Sequence, residues 1–254
     1  MSRLSAICIL ALLFLVSAVD AFAQREDDIL RPVPFRFHVG PLAGFGYNAS
    51  YGEFETVCDC RYSSGSGFGP MIGGFVDYPL TRDVSAYIVV TGQSLNASYD
   101  KGERRLEYVD QLGAMVFLDF KLETAVTLFY VGVGTLVKWE TPVRGLYLAV
   151  GPELSFVAYD YINETERLET PGFVYVNSDS RETVFVDGGL NAYYDMTSWR
   201  LAVAGRLGYE IPLHQRLALA PELSVALPMT PVVADYNSWR IMPWRLNCVL
   251  RFAL

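Results

Sequence analysis

Few side chains in this sequence have the chemistry of a catalytic nucleophile or base. The chain of 254 residues contains two histidines, His38 and His214. Glu153 and Ser155 are two residues apart, so a β-strand would place them on one face. An enzyme acting on membrane lipid needs a nucleophile next to a base. Strand alternation produces such pairs by coincidence, and we expect His38 to pack inside and His214 to lie in a solvated turn. No catalytic residue is therefore predicted.

Cys58 and Cys60 are separated by a single residue. That spacing is too short for an ordinary disulfide, whose Cα atoms lie about 5.5 Å apart. A closed zinc site requires four ligands, and no third Cys or His is near the pair. A strained local bridge or a structural role is favoured over a two-ligand metal clip, and neither a metal nor a cofactor is predicted.

Charged residues recur within segments that alternate between apolar and small or polar side chains. The alternation is clearest in residues 199–211, 217–227 and 244–254. A period of two, sustained over about 10 residues and bounded by turns, is typical of membrane-spanning β-strands. By this register the following residues face inward: Arg36, His38, Asp77, Lys138, Glu153, Arg206, Glu210, Glu222, Arg245 and Arg251. Because an unpaired buried charge is costly, we expect them to form a hydrogen-bonded network that plugs the lumen. An ion or proton path is the alternative.

The same alternation predicts eight strands and therefore an all-β fold. They are residues 35–51, 67–78, 84–99, 125–139, 146–156, 199–211, 217–227 and 244–254. Short connections follow the second, fourth and sixth strands, and long ones follow the others. This arrangement predicts an eight-stranded antiparallel up-and-down transmembrane β-barrel. Residues 159–198 are interpreted as the longest connection, and the end of connection 100–123 is expected to extend two strands beyond the bilayer.

A water-soluble, lipocalin-like barrel is the competing architecture, with apolar residues inside and charges outside. It would place Arg206, Glu210, Glu222 and Arg251 on the solvent face. A membrane barrel instead carries an interfacial girdle of aromatic residues near its strand ends. Such a girdle is predicted for four residues: Trp199, Tyr209, Trp239 and Trp244. The aromatic positions favour the membrane barrel.

The first residues have the features of a secretory signal peptide. Arg3 precedes an apolar run over residues 6–19, and Ala21-Phe22-Ala23 supplies a cleavage site of the A-x-A kind. We expect a signal peptide at residues 1–23, a periplasmic lead-in at 24–34, and an outer-membrane barrel domain at 35–254. The net charge is −8, and no cluster of Lys and Arg is present. Nucleic acid is therefore not an expected partner.

Several passages resemble the small outer-membrane β-barrel proteins of the PorT-like and OmpA-like transmembrane domain group. They are residues 58–80, 208–213, 220–224 and 239–254. The resemblance implies an eight-stranded barrel in contact with outer-membrane lipid, inserted by the outer-membrane assembly machinery. That machinery generally recognises a final strand that ends in an aromatic residue, whereas Phe252 here is third from last.

The predicted function is structural or surface-interacting, with a plugged, non-porin interior and no enzymatic activity. Residues 160–182 combine acidic and aromatic side chains, which suits contact with a surface or envelope protein or a simple hydrated loop. The alternative function is a lipid-modifying outer-membrane enzyme that catalyses acyl transfer or hydrolysis. Substitution of His38, Glu153 and Ser155 would distinguish the two.

Overall fold

The structure, a computed structural model, describes residues 37–56, 60–109, 113–175, 180–234 and 238–254. The predicted signal peptide and lead-in lie outside these residues, as do Arg36 and Cys58. The elements are β1 (His38–Glu55), β2 (Arg61–Pro79), β3 (Val84–Ser94), β4 (Ala97–Val109), β5 (Ala114–Glu140), β6 (Leu146–Leu168), β7 (Glu182–Gly188), a 3-10 helix (Leu190–Ala192), β8 (Trp199–Tyr209), β9 (Ile211–His214), β10 (Leu217–Pro228) and β11 (Arg240–Ala253). Within the described ranges, no helix has the length and apolar character needed to cross a bilayer.

Eight of these strands close into an antiparallel ring. Its order is β1, β2, β3, β5, β6, β8, β10 and β11. The ring closes where the first and last strands pair, with His38 opposite Ala253 and Tyr51 opposite Arg240. Every backbone group of a ladder strand then finds a partner without a free sheet edge, which a bilayer demands. The predicted eight-stranded up-and-down barrel is confirmed.

One hairpin continues well beyond the ring. β4 pairs with the first half of β5, from Ala97 opposite Val126 to Val109 opposite Ala114. The expectation that connection 100–123 extends two strands is thus confirmed. On the other side of β5, β6 continues to Leu168 and β7 adds to it. We call this four-stranded extension of β4, β5, β6 and β7 the arm.

The prediction that residues 159–198 form one long connection is wrong, because β6 continues to Leu168. A β-bulge lies between Phe129 and Tyr130 of β5, where β6 skips from Tyr159 to Val157. Odd-numbered residues of β6 are buried before the bulge, and even-numbered residues from Ile162 onward are buried after it. A bulge inserts one residue and reverses the alternation, so the sequence pattern breaks although the strand does not.

The outer wall of the barrel is apolar over the height of a bilayer. On β5 the exposed register runs from Val131 through Val133 and Val137 to Trp139. From Phe129 to Trp139 the strand rises about 33 Å, which a tilt of about 40° converts to roughly 25 Å of height. That is the height of the lipid-facing band in outer-membrane barrels.

The charged register faces inward, so the lipocalin-like alternative is wrong. Arg206, Glu222 and Arg251 are each no more than 3% exposed. Their strand neighbours Leu207, Leu223 and Phe252 are all more than a third exposed. This polarity, charges inside and apolar side chains outside, suits lipid and not water as the surrounding medium. The fold, its apolar wall and its polar interior are together those of an outer-membrane protein, so the protein resides in the cell outer membrane.

Three of the four predicted girdle residues, Trp199, Tyr209 and Trp244, are exposed on the outer wall. The prediction for Trp239 is wrong, because its side chain is 0% exposed inside the barrel. The indole stacks on Phe54 with ring centroids 4.0 Å apart. Its Nε1 donates to Ser50 Oγ at 2.9 Å and to Tyr99 Oη at 2.7 Å. An indole can be buried where its N–H meets an acceptor, and the aromatic partners surround the ring.

Trp239 belongs to an apolar cluster that fills the end of the lumen opposite the start of β1 and the end of β11. The segment before β8 contributes Leu190 and Met196 to this cluster, and the segment after β10 contributes Val232 and Val233. These segments are joined by a bridge between Met196 and Val233 and by the Thr197 amide, which donates to Val232 O at 2.9 Å. Side chains from connections therefore occupy this end of the lumen.

The burial of Trp239 predicts a difference in lipid contact among the four tryptophans. In variants that each keep one Trp and carry Phe at the other three positions, brominated lipid tails should quench Trp139, Trp199 and Trp244. Trp239 should remain unquenched, because the barrel wall separates its indole from lipid. The measurement is steady-state fluorescence in vesicles, and equal quenching of Trp239 and Trp244 would contradict the placement.

Candidate functional site: the polar interior of the barrel

A four-membered ionic cluster occupies the interior near the start of β1 and the end of β11. Lys138 Nζ lies 3.1 Å from Asp77 Oδ2 and 2.8 Å from Glu210 Oε1. Arg251 forms an ion pair with the same Asp77 oxygen, and its Nε lies 3.2 Å from Glu210 Oε1. Two cations and two carboxylates thus alternate around one point. Each charge has at least two opposite neighbours, since Lys138 also lies 3.4 Å from Glu140 Oε1, and these contacts offset the cost of removing the charges from water.

Aromatic rings enclose this cluster. Lys138 Nζ lies 4.6 Å from the ring centroid of Tyr147, and the Arg251 guanidinium lies 5.2 Å from that of Phe75. Cations over aromatic faces gain an attraction that grows as water is excluded. His38 and Glu140 lie at the mouth beside this cluster, where a void of about 40 Å³ remains.

A second group of polar side chains is centred on Glu222 in the middle of the barrel. Its Oε1 accepts from Arg206 Nη1 at 2.8 Å and from Asn247 Nδ2 at 3.0 Å. Its Oε2 accepts from Tyr147 Oη at 3.0 Å. Tyr147 reaches this position because the facing residue, Gly208, has no side chain: a Cβ there would overlap the Tyr147 ring. Glu222 is therefore held by donors from three other strands.

Glu153 organises a third group beside the second one. Its Oε1 accepts from Gln93 Nε2 at 2.9 Å and lies 3.3 Å from Arg200 Nη1. Arg245 is buried close by but meets only neutral acceptors: Asn48 Oδ1 at 2.6 Å and Ser94 O at 2.8 Å from its Nη2.

The nine described residues that were predicted to face inward all lie in the interior or at its mouth, where His38 and Glu210 are half-buried. Sequence reasoning did not assign Arg200, Asn48 or Asn247 to the network. Arg200 stands in the same register as Arg206, so the alternation of β8 was a sufficient signal for it. The same signal was present for the amides, because Asn48 stands in the register of His38 and Asn247 in that of Arg245 and Arg251.

The structure does not bring the catalytic candidates together. His38 is at the mouth beside Asp77, whereas Ser155 is opposite Gly132 and Arg200 near the far end of the membrane-spanning part. The Ser155 hydroxyl is buried and makes no hydrogen bond. His214 is exposed in β9, which pairs with the start of β10 across a tight turn. No nucleophile contacts a base among these residues.

Cys60 is buried in the apolar cluster, whereas its predicted partner Cys58 lies outside the described residues. No group of three or more His, Cys, Asp or Glu side chains suited to hold a metal ion occurs in the part of the chain that the structure describes.

Removal of the Glu222 carboxylate should strongly destabilise the barrel. Glu222→Ala leaves Arg206 buried without its counter-charge, which typically costs about 3–5 kcal/mol in the free energy of unfolding. Urea unfolding in lipid vesicles, followed by tryptophan fluorescence, measures the change. The matched control is Glu123→Ala, which removes an exposed partner of Lys121 at 2.6 Å and should cost about 1 kcal/mol or less. Equal losses in the two variants would contradict the network.

The arm carries its own small core on the side that continues the lumen face. Leu118, Phe120 and Leu168 are buried there, and Phe173 and Tyr175 pack against them. Tyr175 Oη donates to Glu166 Oε1 at 2.6 Å, and Arg105 Nη1 lies 2.7 Å from Glu166 Oε2. Through these contacts, part of segment 160–182, which was predicted to be a partner-binding or hydrated loop, packs against the arm.

A buried carboxyl lies where the arm meets the barrel. Glu164 is 1% exposed, and Tyr194 Oη donates to its Oε1 at 2.9 Å. Burial raises the pKa of Glu164 above its ordinary value, against the smaller opposing effect of the Tyr194 hydrogen bond. The folded state therefore favours the protonated carboxyl. The contribution of the Glu164 carboxyl to the free energy of unfolding is therefore fully present below its ordinary pKa and is lost as the pH rises through the raised pKa.

The opposite face of the arm points outward and carries two separate zones. The zone nearer the barrel is charged, with Arg104 3.6 Å from Asp119 and Lys121 2.6 Å from Glu123. The zone at the tip is apolar and consists of two cross-strand pairs: Leu106 opposite Phe117 and Tyr108 opposite Met115. All four tip residues are between 46% and 60% exposed, and we call them the tip patch.

No family model matches the chain, and no curated protein matches it. Among solved structures, Neisserial surface protein A is 12% identical, with 86% of this chain and 97% of that chain covered and a TM-score of 0.38. Ail, the attachment invasion locus protein of Yersinia pestis, is 10% identical, with coverage of 85% and 98% and a TM-score of 0.31. The outer membrane protease OmpT from Escherichia coli is 7% identical, with coverage of 89% and 99% and a TM-score of 0.34. Similarity at this level carries no functional assignment.

Proposed function

We propose that this protein is an outer-membrane barrel with a closed interior whose arm binds a surface or envelope protein. The tip patch is the single observation that carries the proposal. It is exposed, apolar and separated from the lipid-facing wall by the charged zone of Arg104, Asp119, Lys121 and Glu123. Lipid therefore does not account for its exposure.

The position of the tip patch supports a partner outside the bilayer. Phe117 lies about 40 Å along β5 from Phe129, which a tilt of about 40° converts to roughly 30 Å of height above the lipid band. Apolar side chains that stand in water at this height favour burial against another molecule.

A free strand edge beside the tip patch favours a protein as that molecule. Among the described residues, β4 pairs with β5 along Ala97–Val109 and with β2 only at Ser98. Its outer edge beyond Tyr99 thus presents backbone donors and acceptors that an extended peptide could pair with. Lys101, Glu103 and Arg105 on this edge protect it against unspecific pairing and could select a partner by charge.

Covalent capture tests this proposal in intact cells. A photo-crosslinking amino acid in place of Phe117 should form an adduct with one defined protein, and Leu106→Ser in the same chain should reduce the adduct several-fold by removing the facing apolar side chain. The control position is Leu213, equally exposed in β9 at the opposite end of the barrel. The proposal fails if position 117 yields no protein adduct, or if only lipopolysaccharide is captured.

The closed interior is supported by the packing of the lumen. In the middle of the barrel, the void beside Gln93, Glu153 and Arg206 has a volume of only about 10 Å³. An eight-stranded barrel has an interior just wide enough for side chains to fill it. Toward the arm, Trp239 and its apolar neighbours occupy the lumen.

Purified protein in planar lipid bilayers should therefore show no stable conductance. Current recordings at about 100 mV and high salt provide the measurement, with a porin of known conductance as the positive control. Steady single-channel openings would refute a closed interior and would revive the ion-path interpretation.

The proposal includes two further points. We propose that the protein is not an enzyme, because His38 and Ser155 lie at different heights of the barrel. Lipid analysis of cells that produce His38→Ala or Ser155→Ala should match that of cells with the unaltered protein. We also propose that the chain is a distant member of the PorT-like or OmpA-like group and is inserted by the outer-membrane assembly machinery. The resemblance of residues 58–80, 208–213, 220–224 and 239–254 to that group supports this point.

A further inference from the structure

We propose that the centre of the barrel binds one small monovalent anion, of the chloride or bromide class, between Arg206 and Arg245. The site is independent of the tip patch and of any partner. It follows from the charges, the unused donors and the space in the middle of the lumen.

The central groups contain more cations than carboxylates. Arg206 is paired with Glu222 at 2.8 Å and Arg200 with Glu153 at 3.3 Å. Arg245 has no carboxylate partner among the described residues, although it is only 2% exposed. One guanidinium charge is therefore buried without a counter-charge. A buried, uncompensated charge is costly, and a bound anion would offset it.

The four acceptors of Arg245 are all neutral. Besides Asn48 Oδ1 and Ser94 O, they are the carbonyl oxygens of Tyr47 and Trp244, each 3.3 Å from Nη1. The Nε–H of Arg245 has no acceptor, and the same is true of the Nε–H of Arg206. Among the described residues, Arg200 Nε and two nitrogens of Arg251 also lack an acceptor, so these donors point to an anion only together with the uncompensated charge of Arg245. Structures rarely leave such donors without a partner, so an acceptor is expected beside them.

Both arginines line one small void. Its volume is about 10 Å³, which is about the room that a single water-sized particle needs. Gln93, Glu153 and Ser224 also contribute to its wall. A monatomic anion fits this space, whereas sulfate and phosphate are too large.

Glu153 also lines the void, but its negative charge is offset by Arg200, whose Nη1 lies 3.3 Å from Oε1, and Gln93 donates to the same oxygen. A cation is disfavoured by the two guanidinium groups in the wall. The ionic cluster near the start of β1 and the end of β11 provides an internal comparison. There the charges of Lys138 and Arg251 are matched by Asp77 and Glu210, with Glu140 3.4 Å from Lys138 as well, so charge balance requires no counter-ion.

Thermal unfolding in a neutral detergent tests for the anion. At constant ionic strength, chloride and bromide should raise the Tm saturably by a few degrees relative to gluconate, because a ligand that binds only the folded state stabilises it. Arg245→Gln should abolish this difference, since the central charges are then balanced. Arg104→Gln, on the exposed face of the arm, should preserve it.

A second measurement uses the unaltered protein, so the proposal remains testable if Arg245→Gln does not fold. Crystals grown in bromide should show one anomalous peak between Arg206 and Arg245. Equal Tm values in chloride and gluconate would overturn the proposal. So would electron density between the two arginines that, in bromide-grown crystals, has no anomalous signal and refines as water. A halide effect that persists unchanged in a folded Arg245→Gln variant would overturn it as well.

Discussion

Opposite charges that meet inside a narrow barrel are the interaction on which this structure depends. The wall must present apolar side chains to lipid, so strand alternation directs the remaining side chains into the lumen. A charge in that space needs a counter-charge or several hydrogen-bond partners, because it is removed from water. Asp77 and Glu210 each contact both Lys138 and Arg251, and these contacts link β2, β5 and β11 with the residue that follows β8. Interior chemistry and barrel closure thus support one another.

The interior changes character along its length. The four-membered ionic cluster lies near the start of β1 and the end of β11. Ion pairs joined to neutral polar side chains around Glu222 and Glu153 occupy the middle, and the apolar cluster around Trp239 fills the end toward the arm. The polar and the aromatic parts of the interior place different requirements on the sequence. The polar part needs matched partners in register, whereas the aromatic part needs complementary shape and the two acceptors of the indole N–H, Ser50 and Tyr99.

The alternation of the sequence was sufficient to predict the ring of eight strands and the inward register of residues such as Arg206 and Glu222. Those features follow from local periodicity, which a single sequence displays. Trp239 could not be placed in this way, because a residue just before a strand can turn either toward lipid or into the lumen. Its position depends on Phe54, Ser50 and Tyr99, which are far away in the chain. The partners of each interior charge likewise depend on the register between strands, which local periodicity in one sequence does not determine.

The bulge where Tyr159 and Val157 flank a skipped residue has a consequence for how such a surface could diversify. It reverses which residues of β6 face outward, even-numbered in the barrel wall and odd-numbered in the arm, whereas β5 keeps its odd-numbered residues outward in both. A lineage that gains or loses residues in pairs beyond this point keeps the same faces turned outward, so the projecting hairpin can lengthen or shorten freely. A gain of a single residue would instead turn the buried side chains of that strand toward the environment. Selection would therefore conserve an even number of added or lost residues there, and not a fixed strand length.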